Sequence, residues 1–265
     1  MEVKVVTGCS YGDEGKGLVS GCLAREAINR GQKVLTVFYN GTVQRSHTFM
    51  GVARHCEGAG AAFGEDTFYY KTFVVDPIAL WLTKTSIIID PRCRLIFPCD
   101  VLHGRAREKH LKHGSCGFGL FAAVKRDKEQ HFEINDIFYP PATLLYLIKK
   151  VDSYYKYMPD ELYNFDNFFK ALGWIKDNCQ ISTFEDIIAK NYYDTIIFEG
   201  GQGLLLDQEN MGDFPHLTPS STGAFNIHED IEKMAVRADL FYVSRSYITR
   251  HGQGPMDKEC KKETS

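Results

Sequence analysis

Between Gly12 and Gly17 the chain reads GDEGKG. Glycines at this density let backbone amides turn toward an anion, and a lysine ammonium beside a helix N-terminus completes a cradle for phosphate. The stretch is not a Walker A loop. That loop needs four residues between its first glycine and the Gly-Lys pair, and Ser or Thr after the lysine for magnesium. Here Ser10 stands at the first-glycine position and Gly17 follows Lys16. An acid inside an anion loop also needs a reason. Asp13 would repel phosphate unless it binds a cation or handles a proton, so it is a candidate for metal or general-base work.

Two further segments carry candidate chemistry. Residues 41–48 read GTVQRSHT directly after an apolar run. A loop leaving the carboxyl end of a parallel strand faces the ligand crevice, which would bring His47 near Lys16. Residues 198–207 read FEGGQGLLLD. Three glycines around one amide suit either close backbone approach to a ligand or a β-bulge, and Gln202 can both donate and accept, as purine recognition requires. The segments GSCGFG at 114–119 and TRHGQGP at 249–255 would, taken alone, be ordinary glycine loops.

The elements that must position these residues can be read from periodicity. Val3 to Thr7 is a strand, Gly8 to Gly17 a turn, and Leu18, Val19, Cys22, Leu23 and Ala27 recur at helical spacing until Gly31 stops the helix. Lys33 to Tyr39 is a second strand, giving a right-handed parallel βαβ unit, and its fully apolar strands imply a sheet buried on both faces. Further strands are expected at Thr72–Val75, Arg94–Phe97, Thr195–Phe198 and Leu240–Val243, with helices near 77–85, 101–112, 142–150, 182–190 and 228–237. Asp76-Pro77 reads as an N-cap with proline at N1, and Ser182 with Glu185 as a capping box. The fold expected is α/β, a mainly parallel central sheet with helices on both faces and a P-loop-like strand, glycine loop and helix. All 265 residues form one nucleotide-binding domain, with an aromatic-rich insertion or cover at about 127–190.

Composition narrows the function. With 44% hydrophobic and 25% charged residues the chain is an ordinary globular protein, which excludes disordered and fibrous classes. A net charge of −3 gives no electrostatic reason for nucleic acid or an anionic membrane as partner. No signal peptide or membrane span is legible. Eight cysteines, with no C-x-x-C pair, point to free thiols in a reducing cytoplasm and to no structural zinc.

Taken together, GDEGKG at 12–17, SHT at 46–48, AREK at 106–109 before a GxxGxG loop, FEGGQG with LLD at 198–207, PHLTPSST at 215–222 and TRHGQGP at 249–255 resemble the adenylosuccinate synthetase family in order and spacing. The resemblance covers roughly residues 3–126 and 194–256, and is to a short or C-terminally incomplete, divergent member. It implies a homodimeric cytoplasmic ligase that joins IMP and L-aspartate at the expense of GTP, or of ATP, with Mg2+ as cofactor. By position it makes Asp13 the base that takes the N1 proton of IMP, so that the 6-oxygen attacks the γ-phosphate. His47 would stabilise the transferring phosphoryl group, and Lys16 would neutralise phosphate. The catalytic set implied is Asp13, His47, Lys16 and Gln202. The triphosphate would lie on Gly12, Glu14, Gly15, Lys16, Gly17 and Thr48, and magnesium on Asp13 and the Ser46 carbonyl. IMP would contact Asp13, Gln44, Ser115, Cys116, Gln202, Thr222, Arg250 and Gly252, with Arg126 reaching the IMP phosphate of a neighbouring subunit.

The departures are specific. Gln44, Arg45 and Ser46 stand where the family has asparagine, alanine and glycine, and Phe118 where arginine is common. The family's aspartate-binding and guanine-recognising segments lie past the GQGP segment, so aspartate and GTP come from the resemblance alone. Viral relatives that act on a deoxyguanylate have replaced the catalytic aspartate, and its retention here leans to an IMP-like 6-oxopurine. The other readings are a regulatory or inactive purine-nucleotide-binding module, and a related ligase for another 6-oxopurine nucleotide. In-line transfer would place Asp13 within about 8 Å of His47.

Overall fold

A computed structural model describes residues 1–43, 46–49, 52–112, 114–155, 165–250 and 253–256, with the backbone alone for 46–49 and 52–54. Seven strands form the central sheet: β1 (Glu2–Gly8), β2 (Val34–Phe38), β5 (Asp66–Tyr69), β7 (Ile88–Ile89), β9 (Gln180–Ile181), β10 (Thr195–Gly203) and β11 (Ala238–Val243). Their order is β11-β1-β10-β2-β5-β7-β9, and every neighbouring pair is parallel. The parallel α/β fold expected from the apolar strands is therefore present. β1 and β2 are not neighbours, however: β10 lies between them, so the first crossover steps over a strand that arrives much later in the chain.

Alternation of side chains builds two layers on the sheet. Val6, Val34 and Ile197 pack under Leu23, Ala24 and Ala27 of helix α1 (Lys16–Asn29). Val3, Val5, Leu35, Val37, Ile196 and Phe198 face the other way, toward Phe184 and Ile187 of α7 (Phe184–Ala189) and Ile231 of α8 (His228–Lys233). A third cluster joins Phe38 and Tyr69 to α2 (Pro77–Thr83), α3 (Pro98–Leu111), α5 (Pro141–Asp152) and α6 (Phe165–Asn178), with Phe97, Phe132 and Phe168 at its centre. Phe168, Leu172 and Ile175 of α6 are buried there, so these residues of the aromatic middle of the chain are core packing.

Several local expectations need correction. The strands expected at 72–75 and 94–97 shrink to β6 (Val74–Val75) and β8 (Arg94–Leu95), which pair with each other outside the central sheet. Residues 46–49 and 52–55 form an antiparallel hairpin, β3 (Ser46–Phe49) and β4 (Val52–His55), where a loop was expected. Asp76 does cap α2, its carboxylate accepting the amides of Ile78 and Ala79 with Pro77 in the first turn. The cap of α7 is Thr183 rather than Ser182: its hydroxyl accepts the Asp186 amide at 3.1 Å. Ser182 is instead spent on the sheet, its amide bonding the Ile89 carbonyl. No helix among the described residues is long and apolar enough to cross a membrane.

Candidate active site

The site forms where β1, β2 and β10 release their loops at their carboxyl ends. β1 and β10 run in step from Glu2 opposite Thr195 to Val6 opposite Glu199, and then slip, so that Gly8 faces Gly203. Three residues of β10, Gly200, Gly201 and Gln202, stand against the single Thr7 of β1 and bulge out of the ladder. The Glu14 side chain fills the resulting gap. Its carboxylate lies against Gly8 and Gly203, and a Cβ on either glycine would collide with it.

The Glu14 side chain is therefore buried against the sheet, which leaves its backbone amide as the group that could meet a phosphate. Its carboxylate accepts the amides of Ser10 (2.9 Å) and Gly12 (2.8 Å) and the Lys16 ammonium (2.8 Å), with both side chains almost fully buried. Burial pushes its carboxyl up, but the Lys16 ammonium and the two amides outweigh that and hold it below the usual range. Lys16 also donates to the Gly12 carbonyl at 2.8 Å. Helix α1 begins at Gly15 with φ of 94° and no side-chain cap, so its first amides are not covered by a side chain of their own cap residue. That open, positive helix end is the feature a phosphate needs.

A cavity of about 680 Å³ opens over this loop. Asp13, Gly12, Gly15, Lys16, Gly17, Gln202, Ser115, Cys116 and Arg250 all line it, so the structure gathers these expected site residues around one space. Gln202 abuts the loop: a Cβ on Gly12 would stand 2.5 Å from its Oε1. Asn40, at the end of β2, ties the walls together, accepting the Gly201 amide at 2.5 Å and donating to the Ser221 carbonyl at 3.0 Å. Asp13 is half-exposed, and its carboxylate lies 3.2 Å from the Arg245 guanidinium, beyond the end of β11. A single such carboxylate is a donor set that suits Mg2+, which is commonly held by one or two carboxylates with phosphates and water. Among the described residues no group of three or more His, Cys, Asp or Glu side chains converges on a metal position.

Other expected residues are placed differently. Arg126 does not reach outward to a second subunit. Its side chain is fully buried, donating to both Asp100 carboxylate oxygens at 3.0 Å and to the carbonyls of Leu95 and Gln130, under the Phe97 ring. The homodimer expectation loses that support. Thr222 is also fully buried, its amide and hydroxyl bonded to Asp207, and does not line the cavity. Arg250 lies at 4.4 Å over Tyr11 and donates to the carbonyls of His216 and Pro255. Gln44 and Gly252 lie outside the described residues, as do the side chains of Ser46, His47 and Thr48, and with them the expected approach of His47 to Asp13.

The sequence reading missed one wall. Helix α3 brings His103, Arg107 and Glu108 to the cavity, beside Phe118 and Phe121. The loop at 114–119 is pinned to that helix, Gly114 donating to Glu108 at 2.6 Å and Arg105 to the Gly117 carbonyl at 3.1 Å. The sequence signal for this wall is AREK at 106–109, charged residues directly ahead of a glycine loop.

The adenylosuccinate synthetase family model matches residues 77–265. The adenylosuccinate synthetase of Clostridium perfringens is 25% identical over 299 residues, and that of Clostridium botulinum strain Alaska E43 27% over 301, in each case across all of this chain and 67% of the relative. The chain thus spans about two thirds of the length of these relatives. Among solved structures, the fully ligated adenylosuccinate synthetase of Plasmodium falciparum superposes with a TM-score of 0.74 at 18% identity, covering 97% of this chain and 64% of that one. The succinoaminodeoxyadenylate synthetase of cyanophage S-2L, bound to dGMP and dATP as an energy donor, gives 0.60 at 17%, covering 92% and 64%. The parallel sheet, the phosphate loop and a family match over most of its length place this chain in the adenylosuccinate synthetase family of ligases.

Proposed function

We propose that the chain is a purine nucleotide ligase that converts IMP, L-aspartate and GTP to adenylosuccinate, GDP and phosphate through a 6-phosphoryl intermediate. The observation that carries this reading is the convergence of Asp13, Lys16 and Gln202 on one cavity at the carboxyl ends of parallel strands. Asp13 takes the N1 proton of the 6-oxopurine, and the 6-oxygen attacks the γ-phosphate. Gln202, held against Gly12, orients the base by donating and accepting. Lys16 and the open N-terminus of α1 neutralise the triphosphate, which is most of what phosphoryl transfer asks of a protein. His47 stabilises the charge on the transferring group. The amine of aspartate then displaces phosphate from C6. Asp13 and the Ser46 carbonyl would hold Mg2+, which when bound screens the phosphate oxygens. The enzyme works in the cytoplasm.

The test is phosphate release with IMP, aspartate and GTP, alongside calorimetric titration of IMP and GTP. Wild type should turn over; Asp13→Asn should bind both nucleotides and release no phosphate. His47→Ala should lose about 10² to 10³ in turnover with nucleotide affinity within a few-fold. A second reading is a purine-nucleotide-binding module, favoured by the ion pair that already engages Asp13. It wins if wild type binds nucleotide yet releases no phosphate with any 6-oxopurine, amino acid and triphosphate. ATP as donor and dGMP as acceptor belong in that set, since both a deoxyguanylate and dATP occupy the phage protein.

A further inference from the structure

The α3 wall of the cavity carries a positive charge that the scheme above does not use. α3 lies close to the loop that follows it: a Cβ on Gly104 would stand 3.8 Å from the Gly119 Cα. One turn further on, Arg107 lies over the Phe121 ring, its guanidinium carbon 5.2 Å from the centroid. Both residues line the cavity. Glu108, the neighbouring carboxylate, is engaged by the Gly114 amide. Among the described residues no carboxylate forms an ion pair with Arg107. His103 on the same wall stacks on Tyr155 at 4.4 Å. Burial, then Arg107 and Lys125, hold its imidazole below the ordinary value, so at neutral pH it is uncharged and Arg107 carries the charge of this wall.

A guanidinium lying on an aromatic face keeps its N–H edge free, and that edge matches the oxygens of a phosphate bidentately. Ser115 lines the same cavity and adds an exposed hydroxyl. The other anion-binding end, at Lys16 and α1, has the helix terminus and the Asp13 carboxylate that a polyphosphate with its cation requires. Among the described residues that α3 gives to this wall, Arg107 is the one cation without an ion pair, which matches a single phosphate group. We infer that Arg107, with Ser115, binds the ester phosphate of the acceptor mononucleotide and so fixes which end of the cavity the acceptor enters. The inference rests on the reading of the cavity as the site of a purine ligase.

Calorimetric titration of IMP, inosine and GTP into wild type, Arg107→Ala and Arg107→Lys tests it. Removing a charge-assisted contact should weaken IMP by about 30-fold in Arg107→Ala, and leave inosine and GTP within about two-fold. Arg107→Lys should restore part of the loss, and in turnover the KM for IMP should rise while kcat holds. Inosine serves as the folding control, since a misfolded variant would lose it as well. Equal weakening of IMP and inosine, or loss of GTP in place of IMP, overturns the assignment. Wild type that binds none of the three removes the purine reading itself, whereas wild-type IMP binding that Arg107→Ala leaves intact removes only Arg107.

Discussion

Asp13 and Arg245 face each other at 3.2 Å across the mouth of the phosphate loop, one from the segment after β1 and the other from the segment after β11. The proposed base therefore carries a cation as its companion, held in turn beside the Tyr247 ring. Both side chains are more than a third exposed, so the pair contributes little to folding. Arg245→Ala should move the melting temperature by less than about 2 °C. Turnover with IMP, aspartate and GTP should fall, because the carboxylate that takes the proton loses its fixed orientation. A large drop in melting temperature with unchanged turnover would make the pair structural instead.

Glu14 is the opposite case. Replacing it by alanine leaves the Lys16 ammonium and the Ser10 and Gly12 amides buried without their common acceptor, and empties the gap between Gly8 and Gly203. Breaking one side of a buried ion pair costs about 3–5 kcal/mol. Urea unfolding of Glu14→Ala should give a free energy of unfolding lower by that amount, seen as a lower midpoint at unchanged slope. The more telling comparison is Gly8→Ala, whose Cβ would meet the Glu14 carboxylate first; it should be destabilising in wild type and markedly less so combined with Glu14→Ala.

Acid stability should be governed in part by Asp230. Burial pushes its carboxyl up, but hydrogen bonds from Tyr70, Lys71 and Lys233 bring it down to about 2 from an ordinary 3.8. A carboxyl lowered in the folded state contributes stability that is present above its unfolded value and lost as pH falls through the folded one. Wild type should thus lose stability between about pH 4 and pH 2 more steeply than Asp230→Asn, which should be less stable at pH 7 and flatter with pH. Parallel acid melts of the two proteins by circular dichroism decide this.

For Arg126, the buried pair with Asp100 predicts a fold defect and no binding defect. Arg126→Ala strands Asp100 in the core and should cost about 3–5 kcal/mol. At temperatures where the variant remains folded, IMP affinity should match wild type. Weaker IMP binding by folded Arg126→Ala, with the loss dependent on protein concentration, would restore the intersubunit role that the buried geometry removes.

Much of the half of the molecule around the 12–17 loop is readable from the chain. β1, the glycine loop, α1 and β2 follow from an apolar run, dense glycines and a helical stripe, all local signals. The role of Glu14 was not readable, because the partner that explains it is the bulge of β10, formed some 190 residues later and visible only once Gly8 and Gly203 are opposed. β7 and β9 are two residues long and carry no periodicity to detect. α6 was missed because its aromatic residues, Phe165, Phe168 and Phe169, obscured a regular apolar stripe of Phe168, Leu172 and Ile175. Arg126 was misassigned because position along a motif says nothing about which way a side chain points, and Asp100 lies one helix earlier.

The place of β10 between β1 and β2 also governs the order in which the molecule can be made. During synthesis both early strands emerge with their facing edges open, and the strand that fills the space follows some 150 residues behind. At translation rates of about 5–20 residues per second that interval is on the order of 10–30 s. Until then the nascent chain exposes two apolar β edges, a form prone to wrong pairing and suited to holding by a chaperone. The loop at 12–17 meets Gln202, and Glu14 its seat against Gly203, only when β10 inserts, so the cavity cannot form before the sheet is sealed.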